Sequence, residues 1–543
     1  MAAGRRWAVL AAALALLNAS LTFGNVWPTP IVRWNSTLSA ELALFLLCMA
    51  LATRHGWAPS RRAIATTTIG WVILVIGRYA DVTVQSLFGR EINLYWDSRH
   101  FTAVGAMLAV VANPWLVALI VAGAVVIPVL LYLPLRWALR HVVRALGEPL
   151  PRRAVTAMAV VMLVLAGIQW REEQFTEIPQ FASLNTPTYF RQARLLAREL
   201  SGVNRQVLPT APSIDSDFSR VAGADVFVIF LESYGATAWD RPEFFNGLAP
   251  ARSRFEAAIS ASGRQVVSAY AESPTFGGSS WLAHVSLLSG TEVRDGDTNM
   301  RLMSQPGRNT LTTAFKRHGY RTIAAMPGLR SAWPEGEFYG FDAIYGWQDL
   351  EYSGPSFGWW DMTDQYVLAK LDALAVAGTT RSPLFVFFPT VSTHTPFLPV
   401  PPYQPDWPKM LQRRPYDLLT LDEAWSHQPD WLDLRPGYIK AMTYAFDTVG
   451  GYLSLRRDRD FVVVLIGDHQ PPAVVTGDGA SWEVPVHVIA SRPELLARLG
   501  RHGFRDGLTP AHPAVTSIHG LMPVLLDAFG DAGAAAPALS SSD

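Results

Sequence analysis

Cysteine is all but missing. The 543 residues hold one, Cys48, so no internal disulfide can form, and any portion outside the cytoplasm must fold without such cross-links. Lysine is scarce too: Lys316, Lys370, Lys409 and Lys440 are the only ones. Nearly all positive charge is arginine, which reads as genomic bias. Net charge is also lacking, with 45 basic against 45 acidic side chains, so no broad field exists to gather nucleic acid. Charged residues make up only 17% of the chain and hydrophobic residues 50%. That balance is unusual for a purely soluble protein and excludes disorder and collagen-like repeats.

What is present is unevenly spread. Trp7 to Phe23 is uncharged, Leu42 to Thr53 is apolar behind Glu41, and Ala63 to Gly77 is uncharged before Arg78. Ala103 to Leu135 is uncharged but broken at Asn113-Pro114, and Ala154 to Trp170 is again uncharged. A bilayer core needs about 20 mostly apolar residues per helix. The pattern predicts a membrane domain over 1–170 with five transmembrane helices, at 7–24, 37–54, 64–86, 114–135 and 153–170. Residues 101–112 fit an interfacial or half-inserted helix. Arg5 and Arg6, then Arg54, Arg61 and Arg62, then Arg136, Arg140, Arg144, Arg152 and Arg153 mark one side; the opposite loops hold only Arg33, Arg90 and Arg99. The positive-inside rule then makes the N-terminus cytoplasmic and places everything after residue 170 outside. Residues 1–20 also fit a cleaved signal peptide loosely, but the later arginines alternate correctly when the first segment stays. Arg78 and Asp81 share a helix face, where they can pair near the outer headgroups or hold a lipid headgroup.

Residues 171–220 read as a connector containing an amphipathic helix over Tyr189–Leu200 and a Pro-containing loop. From Ala224 the pattern changes to short apolar strands separated by helical segments. Asp225–Leu231, Arg321–Met326, Leu384–Phe388 and Phe461–Ile466 are near-continuous runs of Val, Ile, Phe and similar residues, as buried parallel strands require. Asn309–His318 and Asp364–Ala377 read as helices. The expectation is an α/β domain over 221–530 with a mostly parallel central sheet flanked by helices, followed by a flexible tail over 531–543.

Ligands of open α/β sheets bind beyond the carboxyl ends of strands. Three predicted strands lead there to chemically capable residues: Glu232, His394, and the pair Asp468-His469. Two carboxylates and an imidazole suit a divalent cation such as zinc or manganese, with magnesium a further option. Taken singly, each is equally an ordinary polar residue at a strand end. A fourth element, Gly277-Gly278-Ser279-Ser280, precedes a helix, where backbone amides can cradle a phosphate. Capping of that helix by Ser279 or Ser280 explains the same pattern.

Ser280 with Leu288-Ser289-Gly290 downstream resembles the nucleophile segment of sulfatases. The ordered set Glu232, Ser280, His394, Asp468-His469 behind a membrane region resembles the lipoteichoic acid synthase type of phosphoglycerol transferase and the related phosphoethanolamine transferases, within the alkaline phosphatase superfamily. The stretch Leu311–Gly328 and the run Phe338–Trp347 resemble the helix, strand and loop downstream of the nucleophile in those synthases. The resemblance implies one divalent metal held by Glu232, Ser280, Asp468 and His469. It makes Ser280 the nucleophile, with Ser279 the alternative, and gives His394 a role on the phosphoryl group. It also implies a phospholipid donor, an envelope glycan or lipid acceptor, and a bacterial inner membrane protein with its catalytic domain on the periplasmic side.

The departures narrow this. Maturation of a sulfatase nucleophile to formylglycine needs Pro or Ala two places on and Arg four places on; Leu282 and His284 stand there. In the loop that grips glycerol phosphate in the synthases, only Trp333 and Arg330 can stand in. Those two, with His284, are the candidate substrate-binding residues. The reading is transfer of phosphoglycerol or phosphoethanolamine through a covalent serine intermediate. A metal-dependent phosphatase, phosphodiesterase or sulfatase-like hydrolase, or a non-catalytic lipid sensor, stands as the alternative.

Overall fold

The computed structural model describes residues 2–26, 29–88, 114–171, 180–201, 212–214, 216–305, 307–330, 336–358, 360–378, 381–430, 433–477 and 479–530, with Ile92, Leu94, Ser98, Leu208 and Trp333 as single positions. The chain divides into two compact units, Met1–Arg205 and Gln206–Asp543, so the helical part of the expected connector belongs to the first.

In the first unit, long apolar runs adopt the one local structure that satisfies every backbone N–H and C=O within the segment. These helices are α1 (Ala2–Thr22), α2 (Ala40–Arg54), α3 (Arg61–Phe88), α4 (Pro114–Leu146) and α5 (Pro149–Arg171). Among the described residues, three helices are long and apolar enough to cross a membrane: Arg61–Ser86, Val121–Leu146 and Pro149–Trp170. The other two expected spans coincide with α1 and α2. The stretch 136–144, expected as loop, is the continuation of α4, so its arginines decorate a helix end. The expected helix over 101–112 and the tail 531–543 lie outside the described residues. Leu17, Ala43, Leu46, Leu139 and Ala159 are buried between the helices, while Leu119, Val125, Leu130 and Val161 are exposed. Glu41 caps α6 (Thr186–Ser201), accepting from the backbone N–H and hydroxyl of Thr186 and from Asn185 Nδ2 at 2.9 Å. Arg78 donates to the Phe23 carbonyl (3.0 Å) and to Ser183 Oγ (2.8 Å).

The second unit is built on one sheet. Its strands are β1 (Asp225–Leu231), β2 (Gln265–Glu272), β3 (Arg321–Ala325), β4 (Ala343–Tyr345), β5 (Leu384–Pro389), β6 (Phe461–Gly467), β7 (Glu483–Ala490), β8 (Arg505–Asp506) and β9 (Thr516–Ser517). They lie in the order β8-β2-β7-β6-β1-β5-β3-β4, with β9 beside β2. Strands β6, β1, β5, β3 and β4 are mutually parallel, and β7 runs against both its neighbours. All four expected strands form; β2, β4, β7, β8 and β9 have no counterpart in the sequence reading.

Helices cover both faces, which is why β1 reads as an unbroken apolar run. Phe227, Ile229 and Leu231 pack toward α7 (Ala249–Ala261), α10 (Asp364–Leu371) and α12 (Arg435–Leu455). Val226, Val228 and Phe230 pack toward α8 (Trp281–Ser289) and α9 (Leu311–Arg317). Between α10 and α12 in sequence lies α11 (Leu418–Ser426). The expected helix over Asp364–Ala377 is α10 continued by a wider π-helical turn, Asp372–Val376.

Gly467 closes β6 beneath the turn that ends β1. A Cβ on it would lie 1.8 Å from the Tyr234 carbonyl oxygen. Gly467→Ala should therefore displace the turn and cost at least about 1–3 kcal/mol. An unchanged midpoint in denaturant unfolding would contradict this packing.

Candidate active site

The sheet register brings the first two carboxylates together. Leu231 pairs with Gly467 across the parallel strands β1 and β6, so the next residues, Glu232 and Asp468, emerge side by side. The chain turns sharply at Ser233, whose φ of 58° is left-handed. That costly conformation is fixed from several sides: Ser233 N donates to Asp468 Oδ1 (2.8 Å), and Tyr438 Oη donates to the Ser233 carbonyl (3.1 Å). Glu232 N donates to Thr390 Oγ1 (3.0 Å), and Thr393 Oγ1 donates to the Glu232 carbonyl (2.6 Å).

The serine arrives from the other side on a loop tied to the end of β6. Gly277 N donates to the Gln470 carbonyl (3.1 Å), and Thr275 Oγ1 donates to the Gly278 carbonyl (2.6 Å). Gly278 and Ser279 have φ of 149° and 62°, after which Ser280 opens α8. Its side chain makes no capping hydrogen bond. Instead Oγ donates to Glu232 Oε2 at 2.7 Å and lies 3.2 Å from His469 Nε2. Helix capping thus fails as the explanation of this serine, and Ser280, not Ser279, is the hydroxyl brought to the acidic cluster.

Glu232, Asp468 and His469 are buried and offer ligand atoms all within 4.8 Å of one another. His469 Nδ1 donates to the Gln470 carbonyl at 2.7 Å, so Nε2 is the ring nitrogen turned to the cluster, a ligand atom once it gives up its proton. His469 Nε2 is 3.4 Å from Glu232 Oε1 and 3.7 Å from Asp468 Oδ2. Asp468 Oδ2 is buried without a hydrogen-bond partner, an expensive condition for a carboxylate oxygen. Burial pulls the His469 pKa down, but the carboxylates of Asp468 and Glu232 overcome it and raise it to about 9. Asp468 is pushed well above the usual carboxylate range by burial and by the Glu232 charge. Glu232 is held low by His469 despite burial. Two carboxylates, an imidazole nitrogen and a hydroxyl converging with one oxygen unsatisfied fit a divalent cation.

The other expected site residues are distributed around this cluster. His394, half-buried beyond β5, turns Nδ1 to the Thr395 carbonyl (2.7 Å) and lies near enough to help keep Glu232 ionised. It borders a depression lined also by Phe357, Gly358, Ser392 and Pro396. The ring of Trp360 meets His394 edge-on with centroids 5.9 Å apart, and the Arg330 guanidinium sits 6.0 Å from the Trp360 centroid and 2.8 Å from Asp361. Arg330 is thus joined to His394 through Trp360. Trp333 packs on Tyr339, with centroids 5.4 Å apart, and the described contacts of its ring are packing contacts. His284 lies between Phe230 and Phe387, its buried Nε2 without a hydrogen-bond partner. Burial lowers its pKa to about 3, so it stays neutral.

Sequence reasoning missed Asp364. This buried residue at the start of α10 accepts from the N–H groups of Val391 (2.8 Å) and Ser392 (3.0 Å), anchoring the loop that carries His394. Its position behind Thr363, a helix cap, looks like ordinary helix-start chemistry in sequence.

The sulfatase family model matches residues 287–505. Over those residues the chain is similar to the sulfatase family. His394, Asp468 and His469 lie inside the matched stretch; Glu232 and Ser280 precede it. The chain is similar in structure to the lipoteichoic acid synthase LtaP from Listeria monocytogenes, with 16% identity over 55% of this chain and 71% of that one and a TM-score of 0.37. It is similar to the phosphoglycerol transferase GacH from Streptococcus pyogenes, solved with sn-glycerol-1-phosphate, with 11% identity over 63% and 80% and a TM-score of 0.36. It is also similar to the integral membrane lipooligosaccharide phosphoethanolamine transferase EptA from Neisseria meningitidis, with 13% identity over 89% and 88% and a TM-score of 0.40. No match was found among curated proteins.

The second unit should behave in two ways. Protons on His469 compete with a cation for the site, so zinc or manganese affinity should climb by about tenfold per pH unit below pH 9, read by calorimetric titration with proton release; equal affinity at pH 6 and 8 would contradict the ligand set. Asp364→Ala should leave two half-buried N–H groups without their carboxylate partner and cost about 1–3 kcal/mol in denaturant unfolding, a cost that an unchanged unfolding midpoint would contradict.

Proposed function

We propose that the protein is a membrane-anchored transferase that moves a phospho-headgroup, phosphoglycerol or phosphoethanolamine, from a phospholipid to an envelope glycan or lipid through a covalent bond to Ser280. The observation that carries this reading is the Ser280 hydroxyl, released from capping and aimed at Glu232 and His469 within 2.7 and 3.2 Å. A divalent cation held by Glu232, Ser280, Asp468 and His469, whether zinc, manganese or magnesium, supplies a lowered hydroxyl pKa and screening of phosphate charge.

In the first half-reaction Ser280 Oγ, its acidity raised at the cluster, loses its proton to water and forms a bond to phosphorus. The bond from phosphorus to the diacylglycerol oxygen breaks, and that oxygen takes up a proton. In the second, an acceptor hydroxyl loses its proton and attacks phosphorus, and Ser280 Oγ leaves and is reprotonated. His394, its Nδ1 engaged by a carbonyl, keeps Nε2 for the phosphoryl, leaving and attacking oxygens. Leu282 and His284 argue against formylglycine maturation and hence against sulfate-ester hydrolysis. The five-span topology with the catalytic domain outside a bacterial inner membrane belongs to this proposal, supported by the three membrane-capable helices.

Intact-mass analysis tests it. A His394→Ala variant exposed to phosphatidylglycerol or phosphatidylethanolamine should gain the mass of one phospho-headgroup, which Ser280→Ala should not. No adduct with either lipid at normal metal content would overturn transfer, and free headgroup phosphate without an acceptor product would favour the hydrolase.

A further inference from the structure

A row of polar side chains crosses the core of the second unit and takes no part in the chemistry described so far. Tyr234, Ser268 and His487 are fully buried and Trp239 nearly so. Trp239 Nε1 donates to Tyr234 Oη at 2.8 Å, and Tyr234 Oη lies 2.9 Å from His487 Nε2. On the other side of the ring His487 Nδ1 lies 2.7 Å from Ser268 Oγ, which donates to the Gly507 carbonyl at 2.6 Å. The proton inventory allows these bonds one direction only. A carbonyl accepts and never donates, so the Ser268 proton goes to Gly507 and the serine oxygen accepts from His487 Nδ1–H. Nε2 then presents its lone pair to the Tyr234 hydroxyl, whose oxygen receives the indole N–H. The imidazole is therefore neutral, in keeping with the burial that pulls its pKa down to about 3.

Core stability alone does not call for such a row. Apolar groups of the same shape can serve as well, whereas fully satisfied buried hydrogen bonds fix orientation. What this row orients is the Tyr234 ring. Tyr234 follows Ser233, whose left-handed turn gives its N–H to Asp468 Oδ1 at 2.8 Å, and stands two places after Glu232. His487 reaches it from β7, where it sits opposite Leu465 of β6 and Ser268 of β2. The turn that bears Glu232 is thereby tied to two strands, β7 and β2, that carry no member of the cluster.

We infer that Tyr234 and His487 are positioning residues for the cluster of Glu232, Asp468 and His469. The hydrogen-bonded row stops the Tyr234 ring from pivoting and so holds the turn where Glu232 and the Ser233 N–H both meet Asp468. Being neutral throughout, it does this without bringing a further charge to two buried carboxylates. The inference rests on the proposed cation at that cluster, and its test needs no turnover.

The full chain in detergent, stripped of metal by a chelator, is titrated with zinc by calorimetry. Tyr234→Phe keeps the ring and deletes the hydroxyl, and should weaken zinc binding by about tenfold, the scale on which groups behind metal ligands act. Tyr320→Phe controls for lost stability: it deletes another buried hydroxyl, bonded to the Val221 carbonyl at the amino end of β3 on the far edge of the sheet. It should lower the unfolding midpoint and leave zinc affinity unchanged. Two substitutions at His487 separate hydrogen-bond direction from packing. The amide oxygen of His487→Gln reaches the place of Nε2 and accepts from Tyr234, so affinity should stay within about threefold of wild type. His487→Asn ends at the place of Nδ1, leaves the tyrosine without its acceptor and should match Tyr234→Phe. Zinc affinity unchanged in Tyr234→Phe, or reduced as much by Tyr320→Phe, would overturn the inference, as would equal losses from His487→Gln and His487→Asn. If Tyr234→Phe does not fold, the His487 pair decides. A wild-type chain that binds no zinc would sink the cation site together with this inference. The expected order of affinities without any lipid-headgroup transfer would support the positioning and sink the transferase reading alone.

Discussion

The second unit is organised around an electrostatic conflict: two carboxylates, Glu232 and Asp468, are buried against one imidazole, His469, with an oxygen of Asp468 unsatisfied. Like charges so close in a low-dielectric interior repel strongly, and burial alone disfavours each ion. A sheet arranged only for stability would not hold both there. Burial and the neighbouring carboxylates raise the affinity of both His469 and Asp468 for a proton. A doubly charged cation resolves the conflict with the ligands already in place.

Holding such a cluster demands stiffness from its surroundings. The parallel register of β1 and β6 aligns the two acidic residues to within one strand spacing. The left-handed turn at Ser233 is then pinned by backbone and tyrosine hydrogen bonds, and Gly467 removes a side chain from where the Tyr234 carbonyl must pass. The loop bearing His394 is fixed separately through Asp364. Each group in the site thus hangs from a different element, and their mutual distances are set by the sheet.

Much of this is legible in sequence, for identifiable reasons. Strands β1, β5 and β6 are buried on both faces, so they read as apolar runs, and the residues that end them stand out as Glu232 and Asp468-His469. Strand β7 escapes because Pro485 sits inside it, which argues against a central strand, and β2 because Ser268 and Ala269 dilute its pattern. The role of Ser280 is not readable locally: a serine before a helix looks the same whether it caps or reacts, and only the distances to Glu232 and His469 separate the two. Arg330 is visible as a candidate, but its link to His394 through Trp360 depends on loops far apart in the chain.

The loop leading into α8 has a consequence of its own. Left-handed backbone at Ser279 and then helical backbone at Ser280 aim the Cα–Cβ bond of residue 280 at the cluster before any side-chain torsion is chosen. Aim comes from the main chain, while reactivity comes from the atom attached to Cβ. The scaffold separates the two, so threonine or cysteine at this position inherits the same line of approach, and the chemistry of the attacking group is free to change without rebuilding the pocket around it.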